Sequence, residues 1–87
     1  MKTIEELFNE VSEKISQKAT GSRSYELSNE GLHAIGKKII EEAGEVWLAA
    51  EYQSKEELTE EISQLIYHLI VLMASREIAM SDLYEVL

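Results

Sequence analysis

Residues 54–76, SKEELTEEISQLIYHLIVLMASR, decide the fold. Ser54 with Glu57 is a capping box, in which a hydroxyl and a carboxylate each satisfy a backbone N–H left without a partner at a helix start. Leu58, Ile62, Leu65, Ile66, Leu69, Leu72 and Met73 follow at three- and four-residue spacing, which predicts a helix to about Arg76. From Ile66 to Met73 this helix is apolar nearly all round, so it needs cover on several sides. In so short a chain that cover is expected from a second subunit.

Towards the N-terminus, Gln53 and Ser54 separate this segment from a second long helix. It is expected to begin between Ser28 and Leu32 and to run to about Tyr52, with Leu32, Ile35, Ile39, Ala43, Val46, Trp47 and Ala50 as its buried stripe. Ala19 to Ser24 reads as a loop, with Thr20, Gly21 and Ser22 as breakers. Before it, Thr3 and Glu6 form another capping box and open a first helix through Ile4, Leu7, Phe8, Val11 and Ile15, ending near Ser16. At the other end Ser81 can cap a last short helix containing Leu83 and Val86. With no proline, few β-branched runs and many Glu, Leu, Ala and Lys residues, the class is all-α. Residues 1–87 are expected to form a single domain, a helical bundle completed by dimerisation.

Composition narrows what such a bundle can do. A domain of 87 residues buries only about 60–65% of the surface its unfolded chain exposes, so it leans on metals, disulfides or partner subunits. There is no cysteine, which removes disulfides and thiolate metal sites. The net charge of −9 argues against a nucleic-acid backbone and against an anionic membrane surface. The apolar stretch Leu65–Ala74 falls well short of the roughly 18–20 residues that span a bilayer. No secretory signal is visible at the N-terminus, so cytoplasmic residence is expected.

The acidic excess acquires meaning only where carboxylates converge. At about 100° per residue, Lys38, Glu42, Glu45 and Ala49 form a stripe flanking the apolar face of the second helix, with Glu41 further around. On the third helix Glu57, Glu61, Gln64 and His68 form a matching stripe. A short connection makes the two helices antiparallel, and Glu42, Glu45 and Glu61 then meet across a groove. Carboxylates crowded in this way repel one another, and a divalent cation relieves the repulsion. Mg²⁺ suits an all-oxygen set and keeps positions open for water and substrate phosphates. Glu-Glu-x-x-Glu alone is more often a solvated helix face. Gly44, between Ala43 and Glu45, costs a helix interior about 1 kcal/mol relative to alanine, which makes sense if something approaches the backbone or helices pack tightly there.

These residues resemble the phosphoribosyl-ATP pyrophosphohydrolases of histidine biosynthesis, within the all-α nucleoside-triphosphate pyrophosphatase group that includes the MazG proteins and dimeric dUTPases. The likeness runs from about Thr3 to Leu87. Ser24-Tyr25 followed by Gly31 resembles the family's Ser-Tyr-Thr opening. Lys37-Lys38-Ile39-Ile40-Glu41-Glu42-Ala43-Gly44-Glu45-Val46 resembles its Lys-x-x-x-Glu-Glu-x-x-Glu segment. Glu61 with Tyr67-His68-Leu69-Ile70-Val71-Leu72 resembles its Glu-x-x-Asp and Tyr-His-x-x-Val-Leu region. The resemblance implies Mg²⁺-dependent hydrolysis of phosphoribosyl-ATP to phosphoribosyl-AMP and pyrophosphate by intertwined helical homodimers in the cytoplasm. It makes Glu42, Glu45 and Glu61 metal ligands, and Glu41 an additional ligand or the orienter of the attacking water. Lys38, on the same stripe, is implied for a phosphate oxygen, Lys37 for substrate although it points elsewhere on the helix, and Arg23, Ser24 and Tyr25 for the ribose-phosphate end.

At one position the pattern departs. Gln64 stands where the wider group has Asp, so position 64 offers a possible metal ligand with a neutral oxygen and the site loses one negative charge. Glu57 or Glu60 could compensate, though only Glu57 lies near the stripe. His68 reads as a packed or hydrogen-bonded residue, and His33 as a surface one. Two other functions share these features: a housecleaning nucleoside-triphosphate pyrophosphatase, and a non-catalytic helical adaptor whose glutamates merely solvate its surface.

Overall fold

The computed structural model describes all residues, 1–87, as five helices with no strand: α1 (Ile4–Ser16), α2 (Arg23–Glu30), α3 (Leu32–Tyr52), α4 (Lys55–Ser75) and α5 (Met80–Val86). Both expected capping boxes form. Thr3 Oγ1 accepts from the backbone N–H of Glu6 at 3.1 Å, and Ser54 Oγ accepts from that of Glu57 at 3.1 Å. The glutamates reach back to the backbone N–H groups of Thr3 and Ser54 at 3.0 and 3.3 Å. These local bonds fix where α1 and α4 begin, independently of tertiary packing.

α3 and α4 pack side by side and make the most extensive helix pair, with α1 on α4 and α2 bridging the other three. Their core is Val11, Leu27, Ile35, Ile70 and Val71, so each of the first four helices contributes. Two residues, Gln53 and Ser54, connect α3 to α4 and force the antiparallel arrangement.

Three expectations need correction. Arg23–Glu30 is a helix, where a loop to Ser24 and an unassigned stretch to Ser28 were expected. Ser22 caps it by accepting from the N–H of Tyr25 at 3.3 Å, and only Ser24 and Leu27 point fully inward. So sparse an apolar pattern leaves no stripe to detect. Gly31, at φ 108°, both ends α2 and starts α3, a backbone turn that side-chain-bearing residues rarely adopt.

The second correction concerns the buried face of α3. α4 packs on α3, α1 and α2 of its own chain, most extensively on α3 and least on α2, and Leu65, Ile66, Leu72 and Met73 stay half-buried. Ile62 and Leu69 remain exposed on it, each at 41%. The larger uncovered apolar surface is on α3. There Ile35 and Ala49 are fully buried and Ile39 and Val46 half-buried, but Leu32, Ala43, Trp47 and Ala50 of the expected stripe face outward. The inward arc is rotated towards the carboxylate flank, so that Glu42 is itself half-buried. Finally, α5 starts before Ser81: the N–H of Ala79 bonds Asp82 Oδ2 at 2.8 Å, and Tyr84 donates to Glu5 Oε2 at 2.9 Å, tying α5 to α1.

Candidate metal and phosphate site

Glu42 and Glu45, one turn apart on α3, meet Glu61 of α4. One carboxylate oxygen from each lies within 4.8 Å of the others. The crowding shows in their acidity. Burial raises the pKa of Glu42 first, then its hydrogen bond with Glu45 and the Glu45 charge, against opposing pulls from His68 and Lys38. Glu61 is raised first by its hydrogen bond with Glu45, then by burial and by the charges of Glu45, Glu42 and Glu60. Like charges held this close make the ionised form of Glu42 and of Glu61 harder to keep than in a lone glutamate. The donor set is hard, oxygen-only and partly open to solvent, which fits a divalent cation of the Mg²⁺ type.

An acidic cavity of about 460 Å³ opens beside this triad, lined by Glu45, Leu48, Gln53, Glu57, Glu60 and Glu61. Glu57 is engaged at the helix start, where its Oε1 accepts from Ser54 Oγ at 3.0 Å. Glu60 joins the cavity although the wheel argument set it aside. Glu57, Glu60, Glu61 and Gln64 follow the i, i+3, i+4, i+7 pattern of one helix face, a signal that could have found it.

Glu41 stands apart from the triad. Its carboxylate pairs with Lys38 Nζ at 3.5 Å, and both line a cavity of about 410 Å³ with Leu27, Glu30, His33, Ala34 and Lys37. Lys37 and exposed His33 therefore share a concave surface between α2 and α3, one to two turns N-terminal to the triad. Arg23, Ser24 and Tyr25 sit on the first turn of α2. Arg23 Nη2 donates to Gln64 Oε1 at 3.1 Å, and Ser24 Oγ shares a 2.7 Å hydrogen bond with the Tyr67 hydroxyl. Tyr25 is half-buried. His68 is buried, and its Nδ1 donates to the Gln64 carbonyl oxygen at 2.7 Å, the role of a packed, oriented residue. No helix is long and apolar enough to cross a membrane.

An all-helical chain whose central antiparallel pair carries a carboxylate triad has the MazG-like architecture of the all-α pyrophosphatases. The phosphoribosyl-ATP pyrophosphohydrolase family model matches residues 2–87, and the chain belongs to that family. It is 54% identical over 85 residues to a phosphoribosyl-ATP pyrophosphatase of Bifidobacterium animalis subsp. lactis, with 98% of each chain covered. One from Salinibacter ruber is 51% identical, again with 98% of each covered. One from Streptomyces avermitilis is 52% identical over 95% of this chain and 93% of the relative.

Proposed function

We propose that this chain, as one domain over residues 1–87, hydrolyses phosphoribosyl-ATP to phosphoribosyl-AMP and pyrophosphate in histidine biosynthesis in the cytoplasm, with Mg²⁺ as cofactor. The observation that carries the reading is the triad of Glu42, Glu45 and Glu61 within 4.8 Å, in a chain belonging to this family along its length. Bound there, Mg²⁺ would neutralise phosphate charge and acidify a water.

The chain's own residues supply the rest. Glu42, Glu45 and Glu61 hold the cation, and repulsion among them makes its binding favourable. Glu41, paired with Lys38 outside the triad, is assigned to orienting the attacking water on the family resemblance alone. Lys38 offers its ammonium to a phosphate oxygen, exchanging the 3.5 Å Glu41 contact for a doubly charged partner. Lys37 extends the cationic rim into the α2–α3 cavity. Arg23, Ser24 and Tyr25 are assigned to the ribose-phosphate portion.

The same reading includes a homodimer. Leu32, Ile40, Ala43 and Trp47 form a continuous apolar face on α3, with Ile40 at 74% and Trp47 at 68% exposure. A Cβ added at Gly36 or Gly44 on that helix would meet nothing of this chain within 4 Å. Two glycines with open space and uncovered large apolar side chains suit close approach of a second copy.

The test is pyrophosphate release from phosphoribosyl-ATP, with and without Mg²⁺, beside ATP and dUTP as competitors. Mg²⁺-dependent turnover of phosphoribosyl-ATP alone is expected. Comparable turnover of the free triphosphates would move the chain to the housecleaning class, and no metal-dependent turnover of any would leave the adaptor.

A further inference from the structure

Arg23 starts α2 but lays its side chain across α4. Besides donating to Gln64 Oε1 at 3.1 Å, its guanidinium carbon lies 4.4 Å from the centroid of the Tyr67 ring. That ring is itself held. Its hydroxyl is bonded to Ser24 at 2.7 Å, and buried His68 meets it edge-on with centroids 5.2 Å apart. His68 in turn bonds the backbone carbonyl of Gln64 at 2.7 Å. Arg23 is therefore fixed by a neutral amide oxygen and an aromatic face.

No carboxylate neutralises it. The ion pairs of the chain are Lys2–Glu10 and Lys38–Glu41. Other basic residues of the chain also lack an ion pair, but Arg23 is held by a long-range side-chain hydrogen bond and an aromatic face. A guanidinium has five donors in a rigid fork, and stacking on Tyr67 leaves its edge free for a second planar or tetrahedral oxyanion. Gln64 lies three residues on from Glu61, so the two are neighbours on one face of α4. The residue that holds the cation thus stands about one helical turn from Glu61 on α4.

We propose that Arg23 is a phosphate-binding cation beside the triad, and that Gln64 is its positioning residue rather than a metal ligand. This rests on the reading of the chain as a phosphoribosyl-ATP hydrolase and narrows Arg23 from the ribose-phosphate portion to the phosphates next to the metal. The chemistry explains why an amide suits position 64. A carboxylate there would bond Arg23 equally well but cancel its charge. The amide holds the same geometry and leaves the full positive charge for substrate. The site then has one negative charge fewer to hold cations and one protein cation more to hold phosphate.

The test is a double-mutant cycle of Arg23→Gln and Gln64→Glu. It is read as KM and kcat for phosphoribosyl-ATP, as Kd for pyrophosphate at fixed Mg²⁺, and as thermal melting. Arg23→Gln is expected to raise KM and Kd by about tenfold or more, with kcat less affected. Gln64→Glu keeps the contact, so melting should hold or rise, yet KM and Kd should also rise about tenfold. The double variant should be no worse than Arg23→Gln, because there is no charge left to cancel. Arg23→Lys should recover part of the loss, and together with Gln64→Glu it carries the test if Arg23→Gln fails to fold. A Gln64→Glu protein with unchanged KM and Kd overturns the proposal. So does one whose Mg²⁺ affinity without nucleotide tightens tenfold while pyrophosphate affinity holds, which would put position 64 among the metal ligands. Coupled loss of pyrophosphate affinity in a chain that does not hydrolyse phosphoribosyl-ATP would sink the substrate assignment and leave the Arg23 clamp standing.

Discussion

The two flanks of α3 are incomplete for opposite reasons. Towards α4 it presents Glu42 and Glu45, which with Glu61 crowd like charges into 4.8 Å. Away from α4 it presents Ile40, Ala43 and Trp47, apolar groups with nothing over them. The first flank lacks charge balance, which the proposed small hard cation would supply. The second lacks buried area, which the proposed second copy of the chain would supply. One helix can carry both deficits because 3.6 residues per turn place them on different sides, so that each can be relieved without the other.

Breaking the first flank should give the largest effect. Glu45 is the residue whose hydrogen bonds and charge raise both its neighbours, so it is the centre of the cluster. Glu45→Gln is expected to slow pyrophosphate release at least about a hundredfold, equivalent to roughly 2.7 kcal/mol. Its metal-free melting temperature should hold or rise, because repulsion is relieved. Glu85→Gln, on exposed α5, should change neither. Near-normal turnover in Glu45→Gln would place the chemistry elsewhere.

The second flank should respond in assembly rather than in turnover per site. Trp47→Glu puts a charge where about 1.5–3 kcal/mol of apolar burial is expected, so the dimer should weaken by ten- to a hundredfold in sedimentation. Gly44→Ala should act more mildly in the same direction, since the added Cβ meets nothing within the chain and any loss must come from outside it. A well-folded wild-type monomer at micromolar concentration would remove this half of the comparison.

The smallest effect separates the flanks by pH. Glu42 and Glu61 have folded-state pKa values raised above the ordinary carboxylate value. The folded state therefore binds more protons than the unfolded one between that value and the raised ones, and stability falls as pH rises through this window. Metal-free melting should accordingly improve on mild acidification from neutrality towards the carboxylate range. Saturating Mg²⁺ should abolish the trend. The opposite slope without metal would mean that the carboxylates do not repel.

Much of this was legible in the residues. The capping boxes at Thr3 and Ser54 located two helix starts because a cap is a local bond, read from spacing alone. The convergence of Glu42, Glu45 and Glu61 followed from helical spacing plus a short connection. α2 was missed because Ser22 caps a segment with only Ser24 and Leu27 fully buried, too few apolar positions to reveal a period. The rotation of α3 was also hidden. Its apolar arc is wider than the face α4 can cover, and sequence does not say which part of such an arc turns inward. The Arg23–Gln64 contact joins residues from two helices, one of them unseen, and no spacing rule reaches that far.

The two-residue joint at Gln53 and Ser54 has a kinetic consequence. Residues that hold the triad belong to a single helical hairpin, whose closure needs little loop entropy and whose second arm starts from its own capping box. α1 must instead return from the far end of the chain to reach α4. The acidic groove should therefore form early in folding, ahead of the core that supports it, and a cation present at that moment would act on the folding nucleus itself. Pulse-labelled hydrogen exchange should show α3 and α4 protected before α1, with Mg²⁺ speeding that first phase. Protection of α1 first would reverse the order.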